Sequence, residues 1–161
     1  PKGRARQRSH SHKKTVLSLV ARGGEVRSFH IGGATAGEII PIVEANVARE
    51  AQVMTDSATL YQGMNKSGRF ASHDLLDHSK DEYVRYEEGR PVIHSNTVES
   101  YFAVFKRGMR GTYQHCRERH LHRYLAEFDF RYNSRVALGV NDRQRAEKLL
   151  QGVKGKRLTY R

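Results

Sequence analysis

Apolar positions recur along this chain in two rhythms. Thr15 to Val20 is rich in strand formers and Glu25 to Ile31 is a second extended run. Arg22-Gly23-Gly24 lies between them, and paired glycines supply the positive φ of a tight turn, so the pair predicts an antiparallel ribbon. Thr35-x-x-Glu38 has capping-box spacing, and Ile39, Ile40, Ile42, Val43 and Val47 follow at helical steps. Pro41 is awkward inside that helix, because it lacks a donor and crowds the carbonyl four residues back, so the start slips between Thr35 and Glu38. Ala51 to Thr55 then reads as a short buried strand that ends at Asp56. Ribbon, helix and strand in this order predict an α/β fold.

Beyond Asp56 the rhythm becomes helical. Residues 74 to 88 form the one acidic stretch, with Asp74, Asp77, Asp81, Glu82, Glu87 and Glu88 against Lys80 and Arg85. Asn96-x-x-Glu99 opens a helix to about Arg107 whose apolar side is Val98, Tyr101, Phe102 and Phe105. A further helix is expected from about Arg117 to Asn133, and a last one near Asp142 to Gln151, presenting Ala146, Leu149 and Leu150, with Gly152 as its cap. The tail Lys154-Gly155-Lys156-Arg157 is basic, and there is no internal repeat.

Charge narrows the choice of partner. Lys and Arg number 29 and Asp and Glu 17, for a formal net charge of +12. Such an excess favours a polyanion, since cationic side chains that displace counterions from phosphates gain affinity without reading bases. Residues 1–14 carry Lys2, Arg4, Arg6, Arg8, Lys13 and Lys14 with no acid before Glu25, and read as a basic flexible segment. Cys116 is the one cysteine, which excludes an internal disulfide and a Cys-x-x-Cys zinc ribbon and fits a reducing, cytoplasmic setting. No apolar run reaches the length of a membrane span.

The candidate chemistry is acidic and basic rather than nucleophilic. Asp56 stands at the carboxyl end of a strand, where open α/β sheets gather functional groups; the alternative is a cap for the segment from Ser57. Glu99 stands one turn into a helix, from which its carboxylate could share a metal with Asp56; the alternative is the capping box with Asn96. Lys106, Arg107, Arg110, Arg117, Arg119 and Arg123, interleaved with Tyr101, Tyr113 and Tyr124, suit a phosphate backbone, or else form an ordinary solvated face. His115, Cys116, His120 and His122 match no common zinc spacing. No nucleophile elbow is present, and the glycines at 23, 24, 32 and 33 lack nucleotide-loop spacing.

Taken together, two runs carry a resemblance. His94-Ser95-Asn96-Thr97-Val98-Glu99-Ser100-Tyr101-Phe102 with Phe105-Lys106-Arg107-Gly108-Met109-Arg110-Gly111-Thr112-Tyr113 is similar to the signature of the ISXO-two-like transposases of bacterial insertion sequences. The likeness continues from His120 to Arg135, and upstream Thr55-Asp56 with Tyr61 and His78-Ser79 before Tyr83 also match, so it spans about residues 12–161. It implies a ribonuclease-H-like (retroviral-integrase-like) core and a carboxylate triad holding two divalent ions, usually Mg2+, that cuts and rejoins DNA at transposon ends and target, with a homo-oligomer as the intact assembly. On that pattern Asp56 is the second acid and Glu99 the helix-borne acid, while some relatives are described as using the residues matching Asn96 and Lys106. The family's first Asp lies on an opening strand, and this chain has no Asp before Asp56. Glu25, beyond the hairpin turn, is a poor substitute, and Phe102 stands where many relatives carry Trp. The expected organisation is therefore a basic segment at 1–14, a core at 15–135 lacking its first strand, and a C-terminal helix with basic tail at 136–161. The alternatives are a catalytically inactive DNA-binding remnant and an RNA-associated protein.

Overall fold

Alternation along the first ribbon divides its side chains between two cores. The computed structural model describes residues 14–76, 84–87 and 90–156. In it β1 (Thr15–Val20) pairs antiparallel with β2 (Val26–Ile31), Thr15 opposite Ile31 and Val20 opposite Val26. Gly23 turns the chain with φ +66°, whereas Gly24 has no positive φ, so one glycine of the pair does the work assigned to both. Leu17, Leu19, Phe29 and Ile31 face one way, packing with α1 (Ala36–Asn46), whose Ile39 and Val43 are buried. Val16, Val20 and Val26 face the other way, against α3 (Asn96–Gly108) and α4 (Leu121–Asn133). The ribbon is thus covered by helices on both faces, as strands in the interior of an α/β layer are.

Thr35 caps α1 by accepting from the Glu38 amide, and the helix starts at Ala36 with Pro41 inside it. Glu38 reaches back past the cap to the Gly32 and Gly33 amides, at 2.9 and 3.2 Å. β3 (Gln52–Asp56) follows and pairs in parallel with β4 (Ser72–Leu76), Asp56 opposite Leu76. The short α2 (Gln62–Ser67) makes the connection and buries Met64. β5 (Val84–Glu87) and β6 (Arg90–His94) form an antiparallel pair with a register break at Arg85/Tyr86. β4 and the β5–β6 pair come from a stretch in which only acidity was legible. His78, Ser79 and Tyr83 lie outside the described residues.

α3 and α4 approach closely because Gly108 has no side chain: a Cβ there would collide with the Phe128 ring. The chain does not continue as one helix from Arg117. A π-helical turn (Met109–Tyr113), a loop and a 3-10 turn (Glu118–His120) precede α4. α4 carries the polar residues that close the outer edge of β2. Asn133 accepts from the Val26 amide at 2.7 Å and donates to the Val26 carbonyl at 2.8 Å, as a neighbouring strand would. Asp129 accepts from the Ser28 amide at 2.7 Å, the Ser28 hydroxyl at 2.8 Å and the buried Tyr101 hydroxyl at 2.6 Å. α5 (Asp142–Val153) runs through Gly152 and ends before Gly155, whose φ is +77°, so the expected cap is displaced. It buries no residue, and Leu149 and Leu150 are exposed.

Candidate functional site

β1 and β3 are each paired on one side only among the described residues, and both line a common groove. The groove has a volume of about 980 Å³ and is lined by Val16 to Val20, by all of β3 and by the start of α3. Asp56 and Glu99, 43 residues apart in sequence, both line it. Asp56 is exposed at the end of β3, and its Oδ1 accepts from the Ala58 amide at 3.3 Å, so it caps the following turn as well as standing at the groove. Beside it the Thr55 hydroxyl is 2.9 Å from His73 Nε2. Burial, and then the Asp56 charge, push the Tyr61 phenol up, keeping it protonated.

Glu99 does not belong to a capping box. Asn96 is the first residue of α3 and Ser95 precedes it in helical geometry, with no side-chain cap bond. The Glu99 amide bonds to the Ser95 carbonyl at 3.1 Å, and the Ser95 hydroxyl donates to the Glu99 carboxylate. Asn96, Glu99, Phe102 and Lys106 recur at three- and four-residue steps and form one side of α3. Asn96 and Lys106 are exposed, and Lys106 Nζ lies 5.9 Å from the Phe102 ring centroid. Glu25, set aside in the sequence, lines the same groove, as do Arg22 and Arg27. Its place depends on how the ribbon lies against β3, which spacing along the chain does not reveal.

Carboxylate oxygens are the donors that hard divalent ions prefer. Asp56 and Glu99 offer such donors, but among the described residues no three Asp, Glu, His or Cys side chains converge closely enough to hold a metal ion. The donor set visible here is incomplete for the ions the resemblance implies.

The cations occupy the far end of α3 and the approach to α4. Lys106, Arg107, Arg110, Arg117 and Arg119 are all exposed. The tyrosines expected among them are otherwise engaged. Tyr101 is buried against Ser28 and Asp129, while Tyr113 stacks edge-on to Tyr124 at 4.8 Å and donates to Glu127 at 2.5 Å. Arg119 donates to His120 at 3.1 Å. Desolvation, and then the nearby Arg119, Arg123, His122 and Arg117, hold His120 below the usual imidazole range. Lys14 donates to the Cys116 carbonyl and so ties the start of β1 to this loop.

No helix of the described residues is long and apolar enough to cross a membrane. No curated protein and no solved structure matches the chain. A family match covers residues 1–133, taking in the basic segment and all of α4 and leaving α5 beyond it. On that match the chain belongs to the ISXO2-like transposase domain family, whose role is DNA transposition.

Proposed function

We propose that this chain is the catalytic core of a DDE-type transposase with a ribonuclease-H-like fold, cutting and joining phosphodiesters with divalent metal, Mg2+ in the parent protein. One observation supports the reading above others: Asp56 at a strand end and Glu99 on a helix line one groove despite their separation in sequence. Phosphoryl transfer needs little covalent help from a protein, but it needs charge neutralised and the attacking and leaving oxygens held in line. Metal bound at carboxylates supplies that neutralisation when present. Asp56 and Glu99 are the oxygen donors this chain contributes, with Asn96 and Lys106 on the same side of α3 as the alternative pair. Lys106, Arg107, Arg110, Arg117 and Arg119 would hold the DNA backbone alongside.

The incomplete donor set favours a second reading, a DNA-binding remnant without catalysis. A plasmid nicking and joining assay in Mg2+ separates the two. We expect the 161-residue chain to be inactive, and a version extended at its amino end by an Asp-bearing strand to cut. Asp56→Ala in the extended protein should abolish cutting. Comparing Glu99→Ala with Asn96→Ala and Lys106→Ala assigns the helix-borne group. Cleavage by the 161-residue chain that survives Asp56→Ala would overturn the assignment.

A further inference from the structure

Among the described residues, four of the five large apolar side chains left exposed fall between positions 136 and 153: Val136, Leu149, Leu150 and Val153. Three of them stand on α5, a helix begun by a reciprocal cap between Asn141 and Gln144 and burying none of its own residues. Ala146, Leu149, Leu150 and Val153 recur at steps of three and four residues, so they form one stripe along the helix. Such a stripe ordinarily turns a helix toward a core, yet Leu150 is 67 % exposed. The described tie of α5 to the preceding elements is polar, the Arg145 Nε bond to the Ser134 carbonyl at 2.9 Å. α5 therefore presents an apolar side that the fold leaves uncovered.

The borders of the stripe specify what covers it. By helical periodicity Arg143 lies beside Leu150, while Arg145 and Lys148 lie beside Leu149, so both borders are cationic. Glu147 stands farther round and pairs with Arg143 at 3.0 Å, and Asp142 pairs with Arg145 at 2.6 Å. Lys154 and Lys156 carry the positive charge past the end of the helix. A second copy would set these borders against their own kind, with a net charge of +12 on each chain. A phosphate backbone would match the borders and leave the leucines wet. Ala146 within the stripe and Gly152 at its edge offer little to insert into a lipid surface, but they let a second helix come close. We propose that α5 is the docking surface for an amphipathic helix of another protein, apolar along one stripe and lined with Asp or Glu on both borders. α5 has 12 residues and is about 18 Å long, so the contact lies at the small, transient end of protein interfaces. The inference rests on the stripe and its borders, apart from any chemistry at Asp56 and Glu99.

The probe is a labelled peptide, acetyl-Glu-Leu-Ala-Glu-Leu-Leu-Glu-Glu-Leu-Ala-Glu-Leu-Leu-Glu-amide, which carries a leucine stripe with Glu around it. One control exchanges every Glu for Lys, and another keeps the composition but alternates acidic and apolar residues, so that no helical stripe forms. Each is titrated with the 161-residue chain into the millimolar range, fluorescence anisotropy giving affinity and hydrogen exchange giving location. We expect the first peptide to bind and to slow exchange along α5, and both controls to bind roughly tenfold or more weakly. Leu149→Ala with Leu150→Ala should weaken binding by roughly tenfold or more. The melting temperature of that variant should not change, because neither side chain is buried. Arg143→Glu with Lys148→Glu should turn the preference toward the Lys peptide. No binding, equal binding of the alternating control, or an unaltered affinity in the leucine variant would overturn the proposal. So would a leucine-dependent rise in mass with protein concentration, which makes the occupant a second copy. Leucine-dependent binding to phosphatidylserine vesicles without binding to the peptide would overturn it in favour of a lipid surface. None of these outcomes bears on the assignment of Asp56 and Glu99.

Discussion

Replacing Asp129 with Ala tests whether α3, β2 and α4 are locked by one carboxylate. Asp129 accepts from the Ser28 amide, the Ser28 hydroxyl and the Tyr101 hydroxyl, and Tyr101 is only 2 % exposed. Removing the carboxylate strands the Ser28 amide in a partly dry interior, at roughly 1–3 kcal/mol for an unpaired donor, and takes a charged acceptor from both hydroxyls, the phenol keeping Ser28 Oγ at 3.0 Å. We expect a loss of about 2–5 kcal/mol, a large part of the roughly 5–15 kcal/mol that holds a domain together. Tyr101→Phe should cost about 1 kcal/mol, because Asp129 keeps both Ser28 bonds. Urea unfolding followed by circular dichroism measures both, and the double variant should lose less than the sum, since the two residues share a bond. Alkaline pH gives an independent reading. Burial first, and then the bond to Asp129, push the Tyr101 phenol well up, so the fold favours its neutral form. That contribution is complete below the ordinary phenol value of about 10 and is lost as pH rises above it. The wild type should therefore lose stability above that pH more steeply than Tyr101→Phe. Equal costs for Asp129→Ala and Tyr101→Phe, or strict additivity, would refute the lock.

Other substitutions reach the remaining elements. Gly108→Ala should destabilise by roughly 1–3 kcal/mol in the same unfolding assay, despite the higher helix propensity of Ala, because Phe128 must move. Arg110→Ala with Arg117→Ala should flatten the salt dependence of duplex DNA binding by about one to two units in log affinity against log salt, equally on two unrelated sequences. An unchanged slope in fluorescence anisotropy would make that face merely solvated. The His120 ring should titrate below the usual value of about 6.5, because burial and nearby arginines disfavour its charge. Its stabilising neutral form is present above the usual value and lost as pH falls through the lowered one. Bound phosphates should offset the arginines and move the NMR midpoint upward; a midpoint indifferent to DNA would place the duplex elsewhere.

Local chemistry made about half of this fold legible. The ribbon announces itself through Gly23, α1 through the Thr35 cap, and α3 through the spacing of Tyr101 and Phe105. β4 carries Asp74 within an acidic run and becomes a strand by pairing with β3, a relation between distant segments that periodicity does not register. Asn96 looked like a cap because of its spacing from Glu99, yet Ser95 occupies the preceding turn. At the candidate site, position and likeness to a family singled out Asp56 and Glu99, and both line the groove. The roles of Asp129 and Asn133 were hidden, since polar residues on a helix pass for its solvated face until β2 is seen beside them. Tyr101 carried two readings, the apolar side of α3 and a contact for nucleic acid, and its burial with the hydroxyl spent inside leaves only the first.

Asn133 and Asp129 make the first ribbon directional. Their side chains take the Val26 amide and carbonyl and the Ser28 amide, so the start of that outer edge of β2 is closed to another molecule. A ribbon open along both sides can add copies without end, whereas one stoppered by a helix can pair once and then terminates. Asn133→Ala would bare the Val26 amide and carbonyl, while Asp129 would still hold the Ser28 amide closed to a newcomer.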